Sequence, residues 1–515
     1  MPLALAPLGA KRPRFRQHRA ARGLPARFRG AFAITLTLIL AYVAAQLALA
    51  IWAGRGARSD ADYLVAGRSL GPFAVGMSLF ATWFASESLI ATSGEVARDG
   101  LAGARAEPFA YAIGILAIAL FFAHRLRSGG FITIADFLRA RFGAGTEALS
   151  AIVIALSATT WSAAQLFAFA TIIAGASGLD FTTALISATL LVMTYTMFGG
   201  LAGDVLTDIV QGLIIIVAIL ILFALMASAF GGVGAMWAAA PPTVWSFTAP
   251  GESWIDRVEL WLIPIAGTMV SQEALARTLA ARSPAVARRG ALLGAGIYLA
   301  AGLIPVSLGL FGPQLAPLLG VTLGADEAYL PSLAAALFPE WLLIIFTGAL
   351  VSAILSSVDS ALLAVSAVVT ESGYKRLNPK ASPLALLRAA RAATVGAAAI
   401  AAVLAAQGES LRNLVLDAGA IAAVLAVPII AGLAGARSGR AALGAIVVQM
   451  GVLGLLDYAL GIPGAFLWMI ASGIVTFAAL TRFARPAPPQ SPAREPSEAG
   501  SEAGQSGAEG GLEGA

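Results

Sequence analysis

Ala353-Ile354-Leu355-Ser356-Ser357-Val358-Asp359-Ser360 places three hydroxyls and a carboxylate in five residues. They lie inside an apolar run from Trp341 to about Thr370 that reads as a membrane-spanning helix. Hydrocarbon offers such groups no water, so they need neighbouring helices, a cavity or an ion as partners. Ser356, Ser357 and Ser360 offer neutral oxygens, which suit a small hard cation that must later be released.

The whole chain shares this setting. It has 515 residues, 59% of them hydrophobic and 12% charged, and a mean hydropathy of +0.84. That composition excludes soluble enzymes, DNA-binding proteins and fibrous proteins. The formal charge of +5 is no nucleic-acid signature, because Lys and Arg sit between apolar runs as membrane topology signals do. With no cysteine, thiol catalysis and thiolate metal sites are excluded. The two histidines, His18 in a basic arm and His124 at a helix end, do not form a buried proton relay.

Hydropathy gives about thirteen spans, near 31–53, 72–97, 107–126, 146–176, 181–199, 203–230, 255–277, 288–313, 340–371, 384–406, 411–434, 439–460 and 463–482. The second is interrupted by Ser78, Thr82, Ser86, Glu87 and Ser88, and the seventh by Gly267, Thr268, Ser271, Gln272 and Glu273. These two spans lie five apart in order. Paired interruptions at matching places predict an inverted-repeat transporter whose site lies at unwound helix segments. Small residues that permit tight packing would explain the alanines and glycines, but not Glu87 and Glu273.

Lys and Arg favour the loops after spans 1, 3, 5, 7, 9 and 11, including Arg125, Arg127, Arg139, Arg141, Arg277, Arg282, Arg288, Arg289, Lys375, Arg376 and Lys380. This asymmetry predicts an N-terminus outside and a C-terminus in the cytoplasm of a cell inner (plasma) membrane protein. The basic arm at 1–30 opposes that topology, and the expectation here is a true start downstream of it. Residues 131–142 predict a short interfacial helix. Residues 483–515, rich in Pro, Ser, Glu, Gly and Ala, predict a disordered cytoplasmic tail.

Three ordered patterns resemble the sodium:solute symporter family: Gly67-Arg68-Ser69-Leu70-Gly71-Pro72; Tyr195-Thr196-Met197-Phe198-Gly199-Gly200-Leu201 followed by Thr207-Asp208-Ile209-Val210-Gln211; and Ser352 to Ser360 followed by Thr370-Glu371. The resemblance covers about residues 31–482. It implies an all-α polytopic protein of the leucine-transporter type, with two inverted five-helix repeats at about 72–230 and 255–434. It implies no enzyme activity and no cofactor. Sodium is co-transported with a small organic solute, and the partners are these ligands and the lipid bilayer. Neither nucleic acid nor an obligatory protein partner is expected.

By the same resemblance, sodium meets the carbonyls of Ala81, Phe84 and Ala353 and the hydroxyls of Ser356 and Ser357. Asp208 and Ser360 are candidates for a second ion site, and the role of Asp359 stays open. The Ala81-Thr82-Trp83 stretch resembles the choline-transporter branch, so Trp83, Tyr111 and Trp161 match positions of an aromatic cage for a quaternary ammonium. The fourth cage position is Ser271, followed by Gln272, which departs from that branch. Glu87 adds an acid able to pair with a substrate amine. A proton-coupled transporter and a membrane solute sensor of the same fold are the alternatives.

Overall fold

The computed structural model describes residues 41, 44–46, 48–55, 59–408 and 410–483. The basic arm, residues 31–40 of the first run and the tail beyond 483 lie outside the described residues. Among the described residues, nine helices are long and apolar enough to cross a membrane. Shorter apolar helices at Ala44–Gly54, Pro72–Trp83 and Phe181–Thr194 accompany them.

Repeat one opens with a broken helix. α1 (Pro72–Trp83) stops at Phe84, whose φ of −87° and ψ of 68° leave the helical region. A π-helical turn at Glu87–Ala91 then leads into α2 (Thr92–Asp99). α3 (Tyr111–Ala117) continues through a π-helical turn at Ile118–Phe122 and on to Ser128. The expected interfacial segment is α4 (Ile134–Phe142), started by a capping box in which Thr133 and Asp136 each bond the other's backbone N–H. α5 (Ala144–Ser177) is the third span. α6 (Phe181–Ala229) carries the fourth and fifth, divided at Gly200.

Repeat two begins the same way. α7 (Trp254–Val270) gives way to extended Ser271, and α8 (Gln272–Leu279) resumes. Then come α9 (Pro284–Leu319), α10 (Glu340–Val368), α11 (Pro383–Gln407) and a last span in two pieces, α12 (Leu411–Ala423) and α13 (Ala426–Leu433). α14 (Gly439–Leu453) and α15 (Ala465–Phe483) pack together beside the repeats. Several starts follow one rule: Ser283 before Pro284 and Ser382 before Pro383 each accept a backbone N–H from the first turn, while proline fills a position that needs no donor.

The packing shows the internal symmetry. α1 and α2 rest on α9, the second span of the other repeat, and α7 rests on α3, the second span of its counterpart. The two third spans, α5 and α10, pack on each other; α5 also meets α12, and α10 meets α6. Close approach of α1 to α9 requires Gly76, where an added Cβ would lie 2.9 Å from the carbonyl oxygen of Gly290. Apolar side chains such as Leu190, Val217, Ile400 and Val475 cover the outside. The polar residues described next face inward, as a bilayer demands.

Gly200 bends α6 at φ 58° and ψ −174°, a conformation open essentially to glycine alone. A Cβ there would also press to 2.7 Å from the Tyr63 ring. We predict that Gly200→Ala destabilises the fold by about 1–3 kcal/mol, seen as a lower melting temperature in detergent; an unchanged melting temperature would refute this role for the bend.

Candidate functional site

A helix end leaves its last carbonyls without intrahelical donors. At the end of α1 those carbonyls point into the bundle, and α9 and α10 meet them. The Ser357 hydroxyl donates to the Thr82 carbonyl at 2.7 Å, and the Ser356 hydroxyl lies 3.4 Å from the Ala81 carbonyl oxygen. The Trp83 carbonyl accepts from the Ser88 hydroxyl at 3.0 Å, and the Tyr298 hydroxyl oxygen lies 3.4 Å from it. Neither Ser356 nor Ser357 bonds back along its own helix; only Ser360 does, to the Ser356 carbonyl at 2.8 Å. The structure thus brings Ala81, Ser356 and Ser357 together. Phe84 occupies the break itself, and Ala353 lies one turn before Ser356 on α10.

Ser356 has a second partner, the Asp208 carboxylate, to which its hydroxyl donates. Ser78 donates to the other oxygen of that carboxylate. A serine has one proton, and a charged acceptor holds it more strongly than a carbonyl. The Ser356 oxygen and the Ala81 carbonyl oxygen therefore face each other with lone pairs.

Next to this lies a buried ionic cluster that corrects two expectations. Arg277, counted above among cytoplasmic loop charges, is wholly buried. Its guanidinium donates to Asp204, to the Ser360 hydroxyl, to the Ser78 hydroxyl at 3.2 Å and to the Glu273 carbonyl at 2.9 Å. It lies 3.6 Å from Asp208. The Ser360 hydroxyl oxygen lies 3.2 Å from Asp204. The neighbourhood of Asp208 and Ser360, considered above for a second ion, is filled by the protein's own cation. Asp359 is buried on the same helix. Asp204 escaped the reading of the sequence, although it stands one turn before Asp208 in an apolar span, and Arg277 stands one turn after Glu273; both spacings put the pairs on one helix face.

On the other side of the break, Trp83 packs against Trp161 and Tyr111, with ring centroids 4.7 and 5.2 Å apart. A cavity beside them is lined by Thr82, Trp83, Ser157, Trp161, Ser271 and Glu273. Ser271 joins the aromatic residues there. Gln272 does not: its side-chain carbonyl accepts the Ile134 backbone N–H at 2.8 Å, tying α8 to α4. Glu87 accepts from the Gln165 amide at 2.9 Å and from the Ser86 hydroxyl at 3.3 Å. It lines a second cavity together with Tyr111 and Glu107. Glu107 was not singled out in the sequence, since it precedes Pro108 at the mouth of a span and reads there as a loop charge.

The model of the Sodium:solute symporter family matches residues 63–435. The chain belongs to that family. It is a multi-pass membrane transporter, not an enzyme, and sodium is the ion that the sodium:solute symporter family carries with a solute. Over 388 residues it is 26% identical to the high-affinity choline transporter 1 of Drosophila melanogaster, covering 72% of this chain and 61% of that one. Over 356 residues it is 29% identical to the high-affinity proline transporter PutP of Bacillus subtilis (strain 168), covering 67% and 75%. Among solved structures, a Na+-coupled sialic acid symporter in a substrate-bound outward-open state superposes with a TM-score of 0.75 at 19% identity, covering 89% of this chain and 99% of that one. Mhp1, a nucleobase-cation-symport-1 family transporter, superposes with a TM-score of 0.53 at 15% identity, covering 81% and 92%. The leucine-transporter-type fold expected from the sequence is the fold of this sodium:solute symporter family member.

Removing Arg277 would leave Asp204 and Asp208 buried without their cation, a loss of about 3–5 kcal/mol for a broken buried pair. We predict that Arg277→Gln lowers the melting temperature in detergent sharply, and that adding Asp204→Asn recovers part of the loss. Strictly additive losses in the double variant would show that the two groups do not act as a pair.

Proposed function

We propose that this protein is a sodium-coupled symporter that imports a small organic solute by alternating access. One observation carries the reading. Two adjacent hydroxyls of α10, Ser356 and Ser357, meet the carbonyls of Ala81 and Thr82 exposed where α1 breaks. The proton of Ser356 is drawn to Asp208, so lone pairs of Ser356 and Ala81 converge on a place for a hard cation. The sodium ligands we propose are the carbonyls of Ala81, Phe84 and Ala353 with the hydroxyls of Ser356 and Ser357. Asp208 lies behind Ser356 and offsets the charge of the ion without coordinating it.

The Arg277 guanidinium, bonded to Asp204 and Ser360, supports a single coupled sodium, because the adjacent acidic cluster already has its cation. The solute would lie beside Trp83, Trp161 and Ser271, with Tyr111 and Glu87 at its other end. Gln272 takes no part in that contact and instead ties α8 to α4. The membrane is a cell inner (plasma) membrane, with the N-terminus outside. The end that carries α4, where Arg139 and Arg376 pair with Glu147 at 2.5 and 2.9 Å, faces the cytoplasm.

Purified protein in liposomes tests this directly, with labelled choline, betaine, proline and a sugar offered with and without an inward sodium gradient. Solute uptake should follow sodium, and it should depend on sodium concentration hyperbolically, as one ion per cycle requires. Uptake driven by a proton gradient alone would replace sodium with protons. We predict that Ser356→Ala and Ser357→Ala each raise the sodium concentration for half-maximal uptake roughly tenfold, equivalent to about 1.4 kcal/mol of lost binding. Unchanged sodium dependence in both variants would reject the ligand set.

A further inference from the structure

The cavity beyond the break of α1 holds an electrostatic imbalance. Its lining includes Glu87, Glu95, Glu107, Tyr111 and Arg412. Arg412 is engaged with Glu95 at 3.1 Å. The nearby Arg105 is bonded to Glu252. Glu87 and Glu107 are left, only 4% and 5% exposed. Each is held by one oxygen: Oε2 of Glu87 by Gln165 and Ser86, and Oε2 of Glu107 by the Tyr298 hydroxyl. Each leaves the other oxygen, Oε1, buried with no hydrogen-bond partner.

These carboxylates are rigidly mounted. Glu87 opens the π-helical turn just after the break. Glu107 sits in extended backbone before Pro108, with φ −116° and ψ 126°. Tyr298 of α9 donates to Glu107, and its hydroxyl oxygen lies 3.0 Å from that of Ser88, the chain neighbour of Glu87. Two carboxylates thus line one cavity, and each keeps one buried oxygen without a hydrogen-bond partner.

These two oxygens constrain the chemistry of a ligand. A buried acceptor without a donor costs about 1–3 kcal/mol, and more when it is charged. The ligand must therefore bring positive charge and N–H or O–H donors together. A quaternary ammonium brings charge but no donor, so it would leave both oxygens unbonded. Among the described residues, no group of three His, Cys, Asp or Glu is placed to hold a metal ion. A protonated amine or a guanidinium supplies both charge and N–H groups. Tyr111 lies between this cavity and Trp83, so the apolar part of such a solute would extend toward the Trp83 and Trp161 rings.

We propose that the free oxygens of Glu87 and Glu107 form the subsite for an N–H-bearing organic cation, a protonated amine or guanidine, carried by the transported solute. This rests on the symport reading above.

The test uses the full chain purified in detergent and in liposomes, with putrescine, agmatine, choline and proline as probes. Thermal stabilisation by sodium against potassium is read first, without solute, and reports on the ion site alone. Putrescine or agmatine should bind and be taken up with sodium at least tenfold better than choline or proline. Glu107→Gln and Glu87→Gln should each weaken that binding tenfold or more while sodium still stabilises both variants. Choline bound as tightly as the N–H cations would overturn the proposal, as would unchanged amine affinity in both variants. Solute uptake driven by a pH gradient, lost in the same variants, would assign the pair to a proton instead and also overturn it. Sodium stabilisation with no amine binding refutes the subsite and leaves symport standing; no effect of sodium at all refutes symport itself.

Discussion

A backbone carbonyl inside a bilayer must find a donor or a cation, and this architecture turns on where that requirement is left open. Helices satisfy themselves everywhere except at breaks. The breaks fall at equivalent places in the two repeats, after Trp83 and at Ser271, and polar side chains gather there. Ser356, Ser357, Ser88 and Tyr298 all reach the exposed end of α1. Each comes from another helix or from beyond the break, so the break itself fixes how α9 and α10 pack. In an unbroken α1 the carbonyls that accept from Ser357 and Ser88 would instead be bonded within the helix, and those two hydroxyls would be the groups left unsatisfied.

The break also divides the polar interior into two regions of opposite character. On one side Arg277 neutralises part of an acidic cluster formed by Asp204 and Asp208. On the other side Glu87 and Glu107 keep free oxygens beside a cavity. A charge that the protein pairs itself is structural, whereas the free oxygens of Glu87 and Glu107 are the basis of the cation subsite proposed above. Between them, the serine pair offers neutral oxygens with Asp208 one bond behind. That is the place proposed above for sodium.

The sequence showed much of this plan because membrane burial makes polar residues conspicuous. Ser356 and Ser357 stand out in an apolar run, and the polar interruptions at 84–88 and 271–273 stand out for the same reason. What stayed hidden were charges at span ends. Arg277 lies where a topology-setting arginine would lie, and only the third dimension shows it folded back onto Asp204. Glu107 looks like a loop residue until the chain before Pro108 turns it inward. Gln272 shows the converse error. It is adjacent to Ser271, yet Ser271 is extended and Gln272 is the first residue of α8, so Ser271 lines the cavity beside Trp83 while Gln272 meets α4.

That link between Gln272 and Ile134 has a mechanical meaning. α4 lies beside the end of α5, held by Arg139 and Arg376 to Glu147, while α8 is the half-helix that carries Arg277. One hydrogen bond between neutral groups joins the two, with a net worth of about 0.5–1.5 kcal/mol. A bond of that strength ties two segments that differ in their other neighbours, so a shift of either one is felt by the other at small energetic cost.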